Sequence, residues 1–397
     1  MPRTLQRSAA PPRRVPRRAV GLAAAVVLAA CGDGPTGSGP PPPPPDVTAA
    51  VDALGTPFTE ASLYARNVWD LQRFGGVIHI GHGDSTDNWG PIAIWSLDPA
   101  TGGLTSEFTT SEEQVDEFRV LDGELYVPGH DPRDDWTLGN FYRLEAGKWV
   151  KHRTIPNGLH TFDLATHGGL LFAALGADSV PGHLTLQVSA DRGQTWQPGT
   201  DNVLGRVYTL FEHGGELYGF PAFWRVFPIE EHQVLRWDGT RFVRTGVELD
   251  ALLPGAPQDA VLRVMRPTEF AGAMVYVVAR RTFDWRPVAL AMTRDMRTAQ
   301  QVALPDAGAV PFDLLVRGGT LYVLTATPQA DGSFVTRVYQ TSDLSGWTEL
   351  FHFTAPTFAR SFEENGGDFF FGLGCTYTAP NAATGSLLRV RRAVYAQ

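Results

Sequence analysis

The chain has 397 residues, 43% of them hydrophobic, with 42 glycines and 30 prolines. That apolar share supports a packed core and excludes a wholly disordered chain, while the glycine and proline content suits many short strands joined by turns. A net charge of −9 and only two cysteines exclude a strongly basic nucleic-acid-binding surface and a disulfide framework.

The first thirty residues read as a leader. Arg3, Arg7, Arg13, Arg14, Arg17 and Arg18 form a basic region without acids, and Ala19 to Ala30 is an unbroken small-apolar run. Twelve residues are too few to span a bilayer as a mature helix. The run ends in Leu28-Ala29-Ala30-Cys31, which resembles the lipobox of bacterial lipoproteins. The resemblance implies cleavage of residues 1–30 as a signal peptide and lipidation of Cys31, hence an exported, membrane-anchored protein, periplasmic or at the cell surface. Residues 31–45 form a linker whose Pro40 to Pro45 run favours polyproline II. The 33 basic residues less the six of the leader leave 27 against 42 acidic ones, a net charge of −15 for the mature part. That balance disfavours nucleic acid and anionic lipid as partners, so the lipid anchor is the expected membrane contact. Cys375, then the single remaining cysteine, reads as a small buried hydrophobe.

Residues 46–63 form a connector, and from residue 64 to the end one phrase returns seven times: two small residues, then an apolar or aromatic strand. Its second small residue falls at 76, 123, 169, 215, 272, 319 and 367, at intervals of 47, 46, 46, 57, 47 and 48. A near-constant period in the forties is a repeat signature. Before the pair comes a first strand, clearest as aromatic-Asp-Leu in Trp69-Asp70-Leu71, Phe162-Asp163-Leu164 and Phe312-Asp313-Leu314. After it come an apolar third strand, a polar turn and a fourth strand. Four short antiparallel strands repeated seven times predict an all-β fold, a seven-bladed β-propeller. The blades are expected near 64–113, 114–156, 157–203, 204–250, 258–306, 308–354 and 355–395. The long fourth interval predicts a surface excursion over Glu248–Asp259. The last blade runs short of chain, so residues around Pro57 to Ala65 are expected to close the ring and cover its edge. The recurring aspartates are expected to hydrogen-bond neighbouring blades rather than to catalyse, because catalytic carboxylates are a unique pair.

One polar turn carries a further resemblance. Ser189-Ala190-Asp191-Arg192-Gly193-Gln194-Thr195-Trp196 is similar to the Asp-box of bacterial-neuraminidase-type repeats, and Ser342-Asp343-Leu344-Ser345-Gly346-Trp347 looks like a decayed copy. The resemblance implies a structural role between third and fourth strands for Ser189, Asp191, Gly193 and Trp196, and for Ser342, Asp343 and Trp347. It implies nothing about sialidase activity, and the arginine-bearing Arg-Ile-Pro phrase of sialidases is absent.

Loops joining second to third strands share one rim of a propeller. Blade one offers His82, Asp84, Asp87 and Trp89, and blade two offers His130, Asp131, Asp135 and Trp136 in the same order. Blades four and five add Trp224, Arg225, Arg281 and Trp285. Aromatic rings with carboxylates and arginines suit a glycan, peptide or envelope-protein partner. The alternative is that the aspartates bind turn amides and the tryptophans pack between blades. No catalytic motif, metal-ligand spacing or cofactor signature is present in the sequence. The expectation is therefore a monomeric binding or scaffold module without cofactor, with a carbohydrate-active enzyme on the same fold as the alternative.

Overall fold

The computed structural model describes residues 43–135, 137–158, 160–176, 185–200, 205–224, 232–257, 261–281 and 284–396. Cys31, Trp136 and Arg225 lie outside the described residues, as does the side chain of Trp224. Seven antiparallel sheets form a ring, and each is a four-stranded blade. Blade one, for example, runs Val68–Phe74, Val77–His82, Ala93–Leu97 and Leu104–Thr109 from the channel outward. Blade five gains an extra two-residue strand, Phe223–Trp224, which pairs with its innermost strand at Val261 and Leu262.

The repeated small pair is the turn between first and second strands. Its first residue has φ between +49° and +64° and its second between +69° and +93° in all seven copies. Two successive positive φ values define the two-residue hairpin turn whose twist matches the flanking strands, and glycine reaches them without a Cβ clash. The Glu-Leu-Tyr that follows in blades two and four has its own logic. Tyr126 donates to Glu124 at 3.0 Å and Tyr218 to Glu216 at 2.8 Å, while Arg236 reaches Glu216 at 2.6 Å.

The ring closes through the N-terminal connector. Asp52–Gly55 pairs antiparallel with Leu387–Val390 and becomes the outermost strand of blade seven. The closing strand lies upstream of the 57–65 stretch expected from the sequence. Phe58, Tyr64 and Ala65 instead pack as buried side chains. Arg389 and Arg391 fix the seam by pairing with Asp52 at 3.0 and 2.7 Å.

The long fourth interval, expected as a surface excursion, carries three core residues among its described ones, while Glu248, Asp250, Ala251 and Gly255 stay exposed. Leu249, Leu252 and Leu253 are buried in the hydrophobic cluster between blades four and five, with Tyr276 donating its hydroxyl to the Leu252 carbonyl. Three leucines at this spacing on one 3-10 turn bury too much apolar area to be left in water.

The turn at 189–196 joins the third and fourth strands of blade three. Asp191 accepts the Thr195 N–H at 2.8 Å, and Ser189 accepts the Gly193 N–H at 2.8 Å. Gly193 has φ +85°, and an added Cβ would collide with the Phe141 ring. Trp196 is buried edge-on against that ring at 6.1 Å. In blade six, Asp343 accepts the N–H groups of Ser345 and Gly346 at 2.8 and 3.1 Å, and Trp347 is half-buried against the core. The hydroxyl at the strand end there belongs to Thr341, which accepts the Leu344 N–H at 3.0 Å, so the part assigned to Ser342 falls one residue earlier. Blade five repeats the turn at Thr293–Thr298, where Asp295 accepts from Arg297 and Thr298 at 2.9 and 3.0 Å. Without glycine or tryptophan, that copy left no readable phrase.

Candidate functional site at the channel mouth

The first strands line the central channel, and most begin with a β-bulge. Register slips between residues 68 and 70, 161 and 163, 207 and 209, 311 and 313, and 359 and 361. The extra residue is Trp69, Phe162, Tyr208, Phe312 or Arg360, and the bulge turns it away from the ladder. The residue that follows returns to the channel and ties blades together. Asp70 accepts the Phe118 N–H at 2.7 Å, Asp163 the Leu210 N–H at 2.7 Å, and Asp313 the Phe362 N–H at 3.1 Å. Each bond joins the inner strand of one blade to that of the next. This is the structural role expected for the repeated aspartate.

Blade five departs from the pattern. Its bulge falls on Arg266-Pro267, where proline has no N–H to lose from the ladder, and Arg266 has φ +51°. This conformation sends the guanidinium across the channel. It pairs with Asp70 of blade one at 3.3 Å and Asp313 of blade six at 3.5 Å. It also donates to the carbonyls of Trp69 and Asp116, the latter at 3.2 Å. Below it, Arg119 forms a two-pronged pair with Asp163, both bonds at 2.7 Å, and meets Glu117 at 3.1 Å. Burial, with the charge of Asp163, holds the Glu117 carboxyl well above the ordinary glutamate range despite Arg119. These ion pairs cross the channel, and a mouth opens among blades one to five.

That mouth encloses about 520 Å³ of empty space, open solvent at the entrance included. Its wall is an aromatic arc. His160 stacks on Phe162 at 5.3 Å, Phe162 meets Tyr208 at 4.1 Å, and Tyr208 meets Trp285 edge-on at 5.4 Å. Trp69 continues the lining on the blade-one side, backed by the guanidinium of Arg360 at 3.9 Å. Two histidines face this space, each with Nδ1 close to a carboxylate, and His160 Nδ1 also bonds the His130 carbonyl at 3.1 Å. His130 pairs with Asp116 at 3.2 Å, and His160 with Asp131 at 3.2 Å. Burial disfavours the imidazolium of His130, but Asp116 outweighs it and raises the His130 pKa. Burial works against Asp116 too, yet His130, Arg263 and Arg266 bring its pKa down to about 2. Arg206 and Arg281 stand on the blade-four and blade-five sides.

Of the residues expected at the rim, His130, Asp131, Arg281 and Trp285 come together here. The others do not. His82 is fully buried, its ring tilted against Phe58 at 4.2 Å. Asp84 is buried and accepts the Thr86 N–H at 2.7 Å, a turn-stabilising role. Asp87 sits at the edge and accepts the Tyr377 hydroxyl at 2.8 Å. Trp89 closes the same loop through its N–H on the Asp84 carbonyl at 3.1 Å. Asp135 is exposed and pairs with Arg153 at 2.6 Å. Trp69, His160, Phe162, Tyr208, Gln114, Tyr64, Arg206 and Arg263 were missed as site residues. Their signal was in plain view for Trp69 and Phe162, in the aromatic of the aromatic-Asp-Leu phrase. It reads as a strand marker unless the bulge is known.

Among the described residues no group of three or more His, Cys, Asp or Glu side chains is arranged to hold a metal ion, and no helix is long and apolar enough to cross a membrane. Cys375 is buried beside Tyr64 and Trp69.

The chain matches no protein-family model and no curated protein sequence. Solved structures share its fold. A chain in the crystal structure of the mitotic checkpoint complex is similar with a TM-score of 0.51 at 12% identity, over 90% of this chain and 98% of that one. A catalytically inactive virginiamycin B lyase from Staphylococcus aureus, solved with quinupristin, is similar with a TM-score of 0.49 at 10% identity, over 85% and 98%. At 12% identity the first likeness concerns the fold alone.

Proposed function

We propose that this propeller is a binding module of the cell envelope, tethered through Cys31 and receiving a glycan or peptide partner at the channel mouth. The observation that carries the reading is convergence. Five blades bring aromatic faces, two histidines and arginines to one concavity, whereas Arg266 deeper in the channel is already paired with Asp70 and Asp313. Concavities where aromatic faces and placed polar groups converge are the usual ligand seats. The test is a glycan and peptide binding screen on the full chain carrying Cys31→Ser, beside the same protein with Trp285→Ala. Loss of binding in the tryptophan variant supports the reading, and binding that survives removes it. The cysteine change should release the protein from membranes, and persistent membrane association would sink the anchor.

A second reading, a carbohydrate-active enzyme, is favoured by one arrangement. His130 stands 3.2 Å from Asp116, and His160 Nδ1 bonds the His130 carbonyl at 3.1 Å with Asp131 at 3.2 Å, so both imidazoles stand beside a carboxylate, as in general acid–base sites. Both carboxylates are thereby committed to histidine, so proton transfer would run through His130 and His160 rather than through a carboxylate pair. Turnover of a glycan that disappears in His160→Gln would establish it.

A further inference from the structure

Arg263 lies on the innermost strand of blade five and is 7% exposed. Its guanidinium sits over two rings, 5.1 Å from the Tyr208 centroid and 5.2 Å from Trp285. Among the described residues it makes no hydrogen bond and no ion pair, and its Nε is buried without a partner. Asp116 feels its charge but is engaged by His130. A buried guanidinium nitrogen without an acceptor is costly, because it has left water without gaining a partner. The other arginines of the channel do not share this state. Arg266 and Arg119 each hold carboxylates, and Arg360 donates to Asn67 and the Cys375 carbonyl, each at 3.0 Å. Arg263 also lines the space just beneath the mouth, with Trp69, Gln114 and Trp285 shared between the two levels.

We infer that Arg263 is the seat of an oxyanion, the carboxylate or phosphate of a ligand whose apolar part lies against Phe162, Tyr208 and Trp285. The planar guanidinium fork matches two oxygens of either group, and the stacked rings hold it in place before the ligand arrives. Arg281, exposed at the lip on the same blade, adds a second positive charge to the approach. This inference rests on the mouth being the ligand seat and names the chemical class it takes.

The experiment uses calorimetric titration of the full-length chain with phenylacetate, its neutral methyl ester and phenyl phosphate. The acid or the phosphate should bind at least roughly ten times more tightly than the ester, and the preferred one identifies the oxyanion. Arg263→Met should weaken the anion by roughly ten- to a hundredfold and leave the ester unchanged, with Arg263→Lys in between. Removing an unpaired buried cation should not lower the melting temperature. Equal binding of acid and ester, unaltered anion affinity in Arg263→Met, or a variant melting several degrees lower would each overturn the inference. Binding of acid and ester alike that is lost in Trp285→Ala but kept in Arg263→Met leaves the mouth as the seat and removes only the anion. Binding indifferent to both changes removes both.

Discussion

Arg263 and Arg266 stand three residues apart on one strand and live in opposite electrostatic worlds. Arg266 crosses the channel and is consumed by Asp70, Asp313 and two carbonyls. Arg263 is buried just above it among aromatic rings and is consumed by nothing among the described residues. The difference lies in the backbone. Arg266 occupies a bulge at φ +51°, which aims its side chain over the channel axis, whereas Arg263 follows the regular strand and points to the mouth. A protein that satisfies one buried arginine four times over and leaves its neighbour idle has kept the second for something outside its own chain.

The comparison can be broken most forcefully at Arg266. Arg266→Met should cost about 3–5 kcal/mol in urea unfolding at neutral pH, because Asp70 and Asp313 are left buried without their cation. An effect below about 1 kcal/mol would show that the floor is not a clamp. Adding Asp70→Asn to that variant should restore part of the loss, since its amide oxygen still accepts the Phe118 N–H, whereas Asp313 uses both oxygens, for Leu314 and Phe362. Failure to recover would mean that the arginine acts through packing rather than charge.

Next in size is a pH effect on the saturated side. Glu117 has a folded-state pKa raised by burial, with the Asp163 charge adding to it, above an ordinary value of 4.5. The folded state therefore keeps a proton that the unfolded chain releases. The stability this group contributes is complete below that ordinary value and is lost as pH rises from it through the raised one. Burial also raises Glu112 and Glu113 to about 7, and His130, held up by Asp116, titrates in the same sense. Unfolding free energy should accordingly decline from pH ~5 toward pH ~8. Glu117→Gln should flatten part of that decline and be the more stable protein at the alkaline end. A steeper decline in the variant would reverse the assignment.

The smallest effect is expected at the idle arginine. Arg263→Met should change unfolding free energy by no more than about 0.5 kcal/mol, or raise it slightly. Read beside Arg266→Met, it separates a structural arginine from one reserved for a ligand.

The seven-bladed ring was legible because its punctuation is local. Two successive positive φ values can be met by Gly-Gly, Asp-Gly or Ala-Gly with no help from the rest of the fold, so every blade announces itself in sequence. The inter-blade role of Asp70, Asp163 and Asp313 was legible for a related reason, since a repeated residue serves the repeat. The mouth was far less so. Four of the expected rim residues converge there, but Asp84, Asp87 and Asp135 serve their own loops or neighbours and His82 is core. Loop chemistry shows which residues share a segment, not which way a bulge turns them.

By itself the sequence determined the class of fold, the number of blades and where each blade turns, because these follow from backbone preferences and period. Only the tertiary structure decided that Asp52–Gly55 is the strand that closes the ring, that Leu249, Leu252 and Leu253 are core, and that one buried arginine is spent while its neighbour is free to bind. Those outcomes depend on what lies across the channel or in the next blade, at sequence separations that no local pattern encodes.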